Sequence, residues 1–135
     1  MNLEANVGLT FDGDCEAAFT LYADLFEAKL DFVLTWGASP LAAKAPRQWA
    51  SKVLFARLKG RSVTLTGADV LPGSYRAPTG FNLCLSTGDA AEAERLFAEL
   101  AAGGTVRMPL ESTFFAKRYG EVVDRFGIPW EVRTR

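Results

Sequence analysis

Histidine is absent from the chain, and cysteine occurs only twice in 135 residues. The first absence removes the commonest general base and the commonest metal ligand together. The second excludes a disulfide framework and points to a reducing, cytoplasmic setting. Long apolar runs are missing too, and no basic residue precedes the apolar positions of residues 1–11, so neither a signal peptide nor a membrane span is expected there. An excess of one charge is also lacking. With 15 Lys and Arg against 16 Asp and Glu, there is no surplus of cations for a phosphate backbone or an anionic lipid surface. Nucleic acid and membrane are therefore not expected as partners. No Gly-rich phosphate loop and no Ser/His/Asp set occurs, which removes two familiar routes to catalysis.

What is present suits one globular domain spanning residues 1–135. The chain is 49% hydrophobic and 23% charged, enough for a core without metals or disulfides. From Ala5 to Phe11 apolar residues hold the odd positions, the period of a two-faced strand. Asp12-Gly13-Asp14 breaks it, and Asp14 is expected to cap a helix whose stripe is Ala18, Leu21, Tyr22, Leu25 and Phe26. Lys29 to Trp36 alternates again, residues 37–50 carry Pro40 and Pro46 and read as a long loop, and Lys52–Leu58 with Ser62–Thr66 read as a hairpin turned at Gly60.

The order then repeats. Phe81 to Thr87 alternates, Asp89 is a second cap, and Ala93, Leu96, Phe97, Leu100 and Ala101 form a second stripe, each 75 positions after its counterpart. Gly103-Gly104 ends this helix. Thr105–Pro109 is a short strand, and a final hairpin runs Val122-Val123, Asp124 to Gly127, Trp130 to Val132. Its turn glycine lies 67 positions after Gly60, so about eight extra residues are expected in the first half, in the loop at 37–50. The result is an internal duplication: two βαβββ modules, about 1–67 and 80–135, joined by a linker at 68–79. The fold class is α+β, with the helix-free sheet faces expected to form a cup.

Several segments carry a family resemblance: Leu9-Thr10-Phe11-Asp12-Gly13 with Leu21-Tyr22, Lys52 to Leu58, Pro78 to Phe81, Gly103 to Val106 with Met108 to Leu110 and, above all, Asp124-Arg125-Phe126-Gly127-Ile128-Pro129-Trp130. Nearly end to end, the chain resembles the PhnB-like branch of the glyoxalase/bleomycin-resistance/dioxygenase superfamily, the vicinal oxygen chelate fold. That resemblance implies paired βαβββ modules, a small-molecule ligand and a homodimer. In metal-dependent members the ligands lie on the first and last strands of each module, which carries over to Asn6, Thr64, Asn82 and Glu131. Phe55 stands where relatives often have a histidine. One carboxylate among these positions is a poor transition-metal set, so neither metal nor other cofactor is expected. The methyltransferase names attached to some relatives gain no support, because no Gly-rich dinucleotide turn is present.

Glu131 is the leading candidate, as a polar anchor or a general base; the competing reading is a solvated carboxylate on an edge strand. Were it buried beside Trp130 and Phe55, desolvation would raise its pKa. Asn6 and Asn82 are candidates for a bound carbonyl or hydroxyl, or for backbone groups nearby. Trp36, Trp49, Phe55, Phe115 and Trp130 either pack the core or line a pocket for a flat ligand. Lys44, Arg47, Lys117 and Arg118 are rim cations or solvated surface. Cys84 shares a face with Asn82, and Cys15 follows an acidic residue; neither is expected to react. The leading expectation is a metal-free small-molecule binder, the alternative an isomerase or lyase using Glu131 as base. A third reading is a self-filled cup that serves assembly alone.

Overall fold

A computed structural model of the chain describes residues 1–135 and divides into two compact units, Met1–Tyr75 and Arg76–Arg135. The first contains β1 (Val7–Phe11), α1 (Cys15–Leu25), β2 (Lys29–Thr35), β3 (Val53–Lys59) and β4 (Thr64–Asp69). The second contains β5 (Leu83–Thr87), α2 (Ala90–Ala101), β6 (Thr105–Glu111), β7 (Tyr119–Val123) and β8 (Pro129–Thr134). Both are βαβββ, as expected. The sheet orders are β1-β4-β3-β2 and β5-β8-β7-β6, with the first and last strands of each unit parallel and the other pairs antiparallel. No helix is long and apolar enough to cross a membrane.

In each unit the helix buries one sheet face. Leu9, Phe11, Ala56, Leu58 and Leu65 meet Ala18, Phe19, Tyr22 and Leu25 in the first. Val122, Trp130 and Val132 are buried in the second, together with Ala93, Leu96, Phe97 and Leu100 of α2. Each such side chain contributes about 1.5–3 kcal/mol by leaving water. The α1 stripe differs from expectation: Phe26 falls at the C-cap and is half-buried, and Phe19 is fully buried where Leu21 is only half-buried. Gly67 explains this, because a Cβ there would lie 2.6 Å from Cζ of Phe19; the strand gives up a side chain to admit the ring.

The first cap also differs. Asp14 makes no side-chain capping bond. Its task falls to Asp69 on β4, whose Oδ1 accepts from the amides of Gly13 at 2.9 Å and Cys15 at 3.0 Å, while Oδ2 accepts from Val53 N at 2.9 Å. The sequence pattern puts Asp69 in the linker at 68–79, but β4 extends to it. Asp89 does cap α2, accepting from Ala91 N at 2.9 Å.

Strand register corrects the duplication offset. Val53 N donates to Asp69 in unit 1 and Arg118 N donates to Thr134 Oγ1 in unit 2, both partners being 65 positions apart. Gly8 faces Thr66 in the parallel pair β1/β4, just as Cys84 faces Glu131 in β5/β8. The counterpart of Glu131 is therefore Thr66, not Thr64. The turn glycines mislead because Gly60 is the first residue after β3 whereas Gly127 is the fourth after β7, so they do not occupy equivalent places in the two hairpins. The link between β2 and β3, with short 3-10 turns at Ala42–Lys44 and Arg47–Trp49, accounts for the extra length of the first half.

Candidate functional site

The final hairpin sets the direction of every side chain on β8. Gly127 takes φ +89°, a left-handed conformation that favours glycine, and its amide closes a turn on Asp124 O at 3.0 Å. Pro129 then starts β8, with Trp130 turned to the helix and buried, and Glu131 turned to the helix-free face. Trp130 is thereby a core residue, its Nε1 donating to Asp124 Oδ2 at 2.9 Å, and does not share a face with Glu131.

Around Glu131 the second sheet collects a polar cluster that sequence reasoning did not find. Glu121 of β7 is its direct cross-strand partner and Cys84 of β5 its partner on the other side. Two carboxylates directly opposed repel each other. Each has a donor from its own strand: Arg133 Nη1 donates to Glu131 Oε1 at 3.3 Å, and Tyr119 OH donates to Glu121 Oε2 at 2.9 Å. The Glu131 side chain is only 14% exposed. Phe115 closes one side, its ring centroid 5.0 Å from that of Tyr119, with the Arg133 guanidinium 5.6 Å from the Phe115 ring.

Burial pushes the Tyr119 phenol well above its ordinary range, and its hydrogen bond to Glu121 and the nearby Glu131 carboxylate push it further. The phenol therefore stays a neutral donor at physiological pH. Burial, followed by the Glu131 charge, also raises the Cys84 thiol. Its Sγ lies 3.9 Å from the Asn82 carbonyl, and it is a thiol rather than a nucleophilic thiolate. Asn82, half-buried just ahead of β5, stands two residues from Cys84 on the same alternation.

In unit 1, Asn6 and Thr64 line a groove of about 330 Å³ with Glu4, Ala5, Arg57 and Lys59. Phe55 is exposed on the same strand alternation as Arg57 and packs on Phe32, with ring centroids 5.9 Å apart and the planes tilted by 58°. Trp36 is buried, its Nε1 donating to Asp69 O at 2.9 Å, which is a packing role. Trp49 is half-buried beneath Lys52, whose Nζ lies 5.8 Å from the ring centroid and donates to Gly13 O at 3.0 Å. Asn6, Thr64 and Phe55 thus belong to one unit, and Asn82, Glu131 and Phe115 to the other. Among the rim cations, Arg118 is tied to Glu94 at 3.3 Å; Lys44, Arg47 and Lys117 are exposed.

The residues present do not fit a transition metal. No cluster of three or more His, Cys, Asp or Glu side chains is placed to hold an ion, and Glu131 already faces a cation in Arg133. Nor does either strand-to-helix turn fit a nucleotide phosphate. The Gly13 and Cys15 amides are taken by Asp69, and Asp89 closes the second turn with its own carboxylate.

The two cysteines give a direct check on this geometry. Burial, with the Asp69 and Glu16 charges behind it, pushes Cys15 up to about 12. A thiol reagent at pH 8 is expected to label one cysteine, Cys84, in the native protein and both after unfolding. Because Cys15 ionises more readily unfolded than folded, its contribution to stability is complete below about pH 8.5 and is lost as pH rises from there towards 12. Fast labelling of both thiols in the native state would contradict this placement.

A family model described as 3-demethylubiquinone-9 3-methyltransferase matches residues 4–133. The chain is 30% identical over 134 residues to Protein YjdN of Escherichia coli (strain K12), covering 93% of this chain and 91% of that protein. Protein PA1353 from Pseudomonas aeruginosa superposes with a TM-score of 0.89 at 38% identity, over 99% of this chain and 98% of the other. A Bacillus cereus protein described as a putative 3-demethylubiquinone-9 3-methyltransferase, PhnB protein, gives a TM-score of 0.85 at 20% identity, over 98% and 100%. A glyoxalase-related enzyme from Fulvimarina pelagi shares the fold, with a TM-score of 0.64 at 18% identity over 100% and 89%.

Proposed function

The chain belongs to the family described as 3-demethylubiquinone-9 3-methyltransferase, in its PhnB-like branch, and from that premise we propose that it is a small-molecule binding protein of glyoxalase/bleomycin-resistance type. The observation that carries this reading is the Glu131 cluster. A sheet face left without a helix bears two directly opposed carboxylates, a neutral phenol, a guanidinium and an aromatic ring. A surface kept only for solubility has no need of opposed carboxylates on adjacent strands. A ligand with hydroxyl or amine donors relieves the repulsion by bridging the two, with Asn82 beside them as a further donor or acceptor. Binding requires no metal, and the methyl-transfer chemistry in the family description finds no cofactor turn here. A homodimer, as the resemblance implies, and a cytoplasmic setting are part of the same proposal.

A second reading is favoured by one feature, the pairing of a shielded carboxylate with a phenol held neutral. Glu131 would accept a proton from a small oxygenated metabolite while Tyr119 OH turned from Glu121 to the substrate oxygen, an isomerase or lyase arrangement.

Glu131→Gln separates function from packing. Its loss of charge removes both the Arg133 ion pair and the opposition to Glu121, so stability should stay within about 0.5 kcal/mol of wild type. Ligands found by thermal-shift screening of a metabolite and antibiotic library, with and without divalent metals, should bind the variant at least roughly tenfold more weakly. Unchanged affinity for every ligand found would remove Glu131 from the site, and ligand-dependent shifts that require a transition metal would overturn the metal-free reading.

A further inference from the structure

The helix-free face of the first sheet carries a second arrangement, one that specifies a ligand class. Phe55, Arg57 and Lys59 alternate along β3 and so project from one face, all three exposed. Phe32 of β2 stands opposite Arg57 and packs on Phe55 with the rings tilted by 58°, which makes an exposed aromatic pair. Beside it lies the groove of about 330 Å³, whose lining includes Arg57, Lys59, Asn6 and Thr64.

The cations in this groove are only partly committed. Arg57 uses Nε on Asp31 Oδ1 at 2.9 Å, and its terminal nitrogens hold no protein partner. The Lys59 ammonium makes no hydrogen bond or ion pair within the protein, although its charge adds to the Arg57 hydrogen bond in lowering the Asp31 carboxyl. Glu4 also lines the groove and Asp31 pairs with Arg57, so the two cations face two carboxylates, and what remains on offer is the Lys59 ammonium and the terminal nitrogens of Arg57. Two open donors without a net positive charge suit a monoanion better than a phosphate dianion. The volume is at the small end of ligand sites and suits a single-ring compound. Phe55 and Arg57, two positions apart on the strand, are separated by about 7 Å, the span of a ring joined to a carboxylate by one or two carbons, and Lys59, two positions further on, reaches back to the same point on its long stem.

Resting on the small-molecule reading above, we propose that this face binds a small aromatic carboxylate. The ring lies against Phe32 and Phe55, and the carboxylate accepts from Lys59 Nζ and the terminal nitrogens of Arg57, with Asn6 and Thr64 as neutral partners.

The probe is phenylacetate, titrated calorimetrically against wild type, Lys59→Gln and, as a control for loss of one exposed cation, Arg95→Gln on α2. Neutral 2-phenylethanol and inorganic phosphate are the comparison ligands. Expected are equal affinity of phenylacetate for wild type and Arg95→Gln, a loss of roughly tenfold in Lys59→Gln, and weak binding of both comparison ligands. Amide shifts in the NMR spectrum should centre on residues 55–59. Phenylacetate binding that is insensitive to Lys59→Gln, or phosphate binding as tightly as phenylacetate, overturns the proposal. If phenylacetate does not bind while library ligands do, the ligand class is wrong and the general small-molecule reading stands. Failure of all ligands would sink both.

Discussion

Replacing Asp69 by alanine is expected to lower the unfolding free energy by about 3 kcal/mol or more, the largest single loss available in the first unit. The carboxylate is 1% exposed and gathers three segments distant in sequence: the turn before α1 through Gly13, the first residue of α1 through Cys15, and the start of β3 through Val53. Alanine leaves these three amides without their acceptor, and a buried unsatisfied donor costs about 1–3 kcal/mol. Set against a total stability of about 5–15 kcal/mol, the loss threatens the fold. Asp69→Asn tests the chemistry more sharply. The retained oxygen can still serve Gly13 and Cys15, but the amide nitrogen then faces the Val53 donor, so a clear loss, smaller than that of alanine, is expected. Urea unfolding measures the totals, and hydrogen exchange should show lost protection concentrated in residues 1–75. A neutral Asp69→Asn would mean that the carboxylate does not organise the segment as its contacts indicate.

This residue also shows where sequence reasoning stops. Periodicity places the strands and both helices because it is a local property: Leu9 and Phe11, or Ala93, Leu96 and Leu100, announce their face through spacing alone. The cap of α1 is a contact across 56 positions, and Asp14, the local alternative, has the right chemistry and goes unused. Nothing within a window of ten residues distinguishes them. The site has the same limitation. Glu131 and Asn82 were accessible as polar residues on an expected strand face, whereas Glu121 and Tyr119 enter only once the register of β7 against β8 is fixed. The signal was present in the hairpin: counting outward from the turn places Glu121 opposite Glu131. The turn glycines point to Thr64 rather than Thr66 because Gly60 and Gly127 hold different places in their turns; the error is two residues, which keeps the strand face but names the wrong residue on it.

In the second unit the corresponding large effect is expected from Asp124→Ala, again about 3 kcal/mol or more. Asp124 is 3% exposed; its Oδ1 accepts from Phe126 N at 2.9 Å and Ile128 N at 3.0 Å, and its Oδ2 from Trp130 Nε1 at 2.9 Å. The Asp-Arg-Phe-Gly-Ile-Pro-Trp run is thus a unit in which one carboxylate shapes the turn and anchors the buried indole six residues later. Its functional consequence is indirect. By holding Trp130 against the helix side, Asp124 fixes the alternation that turns Glu131 to the free face. Trp130→Phe keeps most of the apolar contact but removes Nε1, and should cost about 1–2 kcal/mol. Because both substitutions break the same hydrogen bond, the double variant should lose less than the sum of the two, with a coupling of about 1 kcal/mol in a double-mutant cycle. Strict additivity would show that the indole and the carboxylate act separately. In that case the aim of Glu131 would depend on the backbone turn at Gly127 alone, and ligand affinity should survive Trp130→Phe unchanged. If the pair acts as one device, the same variant weakens binding without touching a residue on the ligand face.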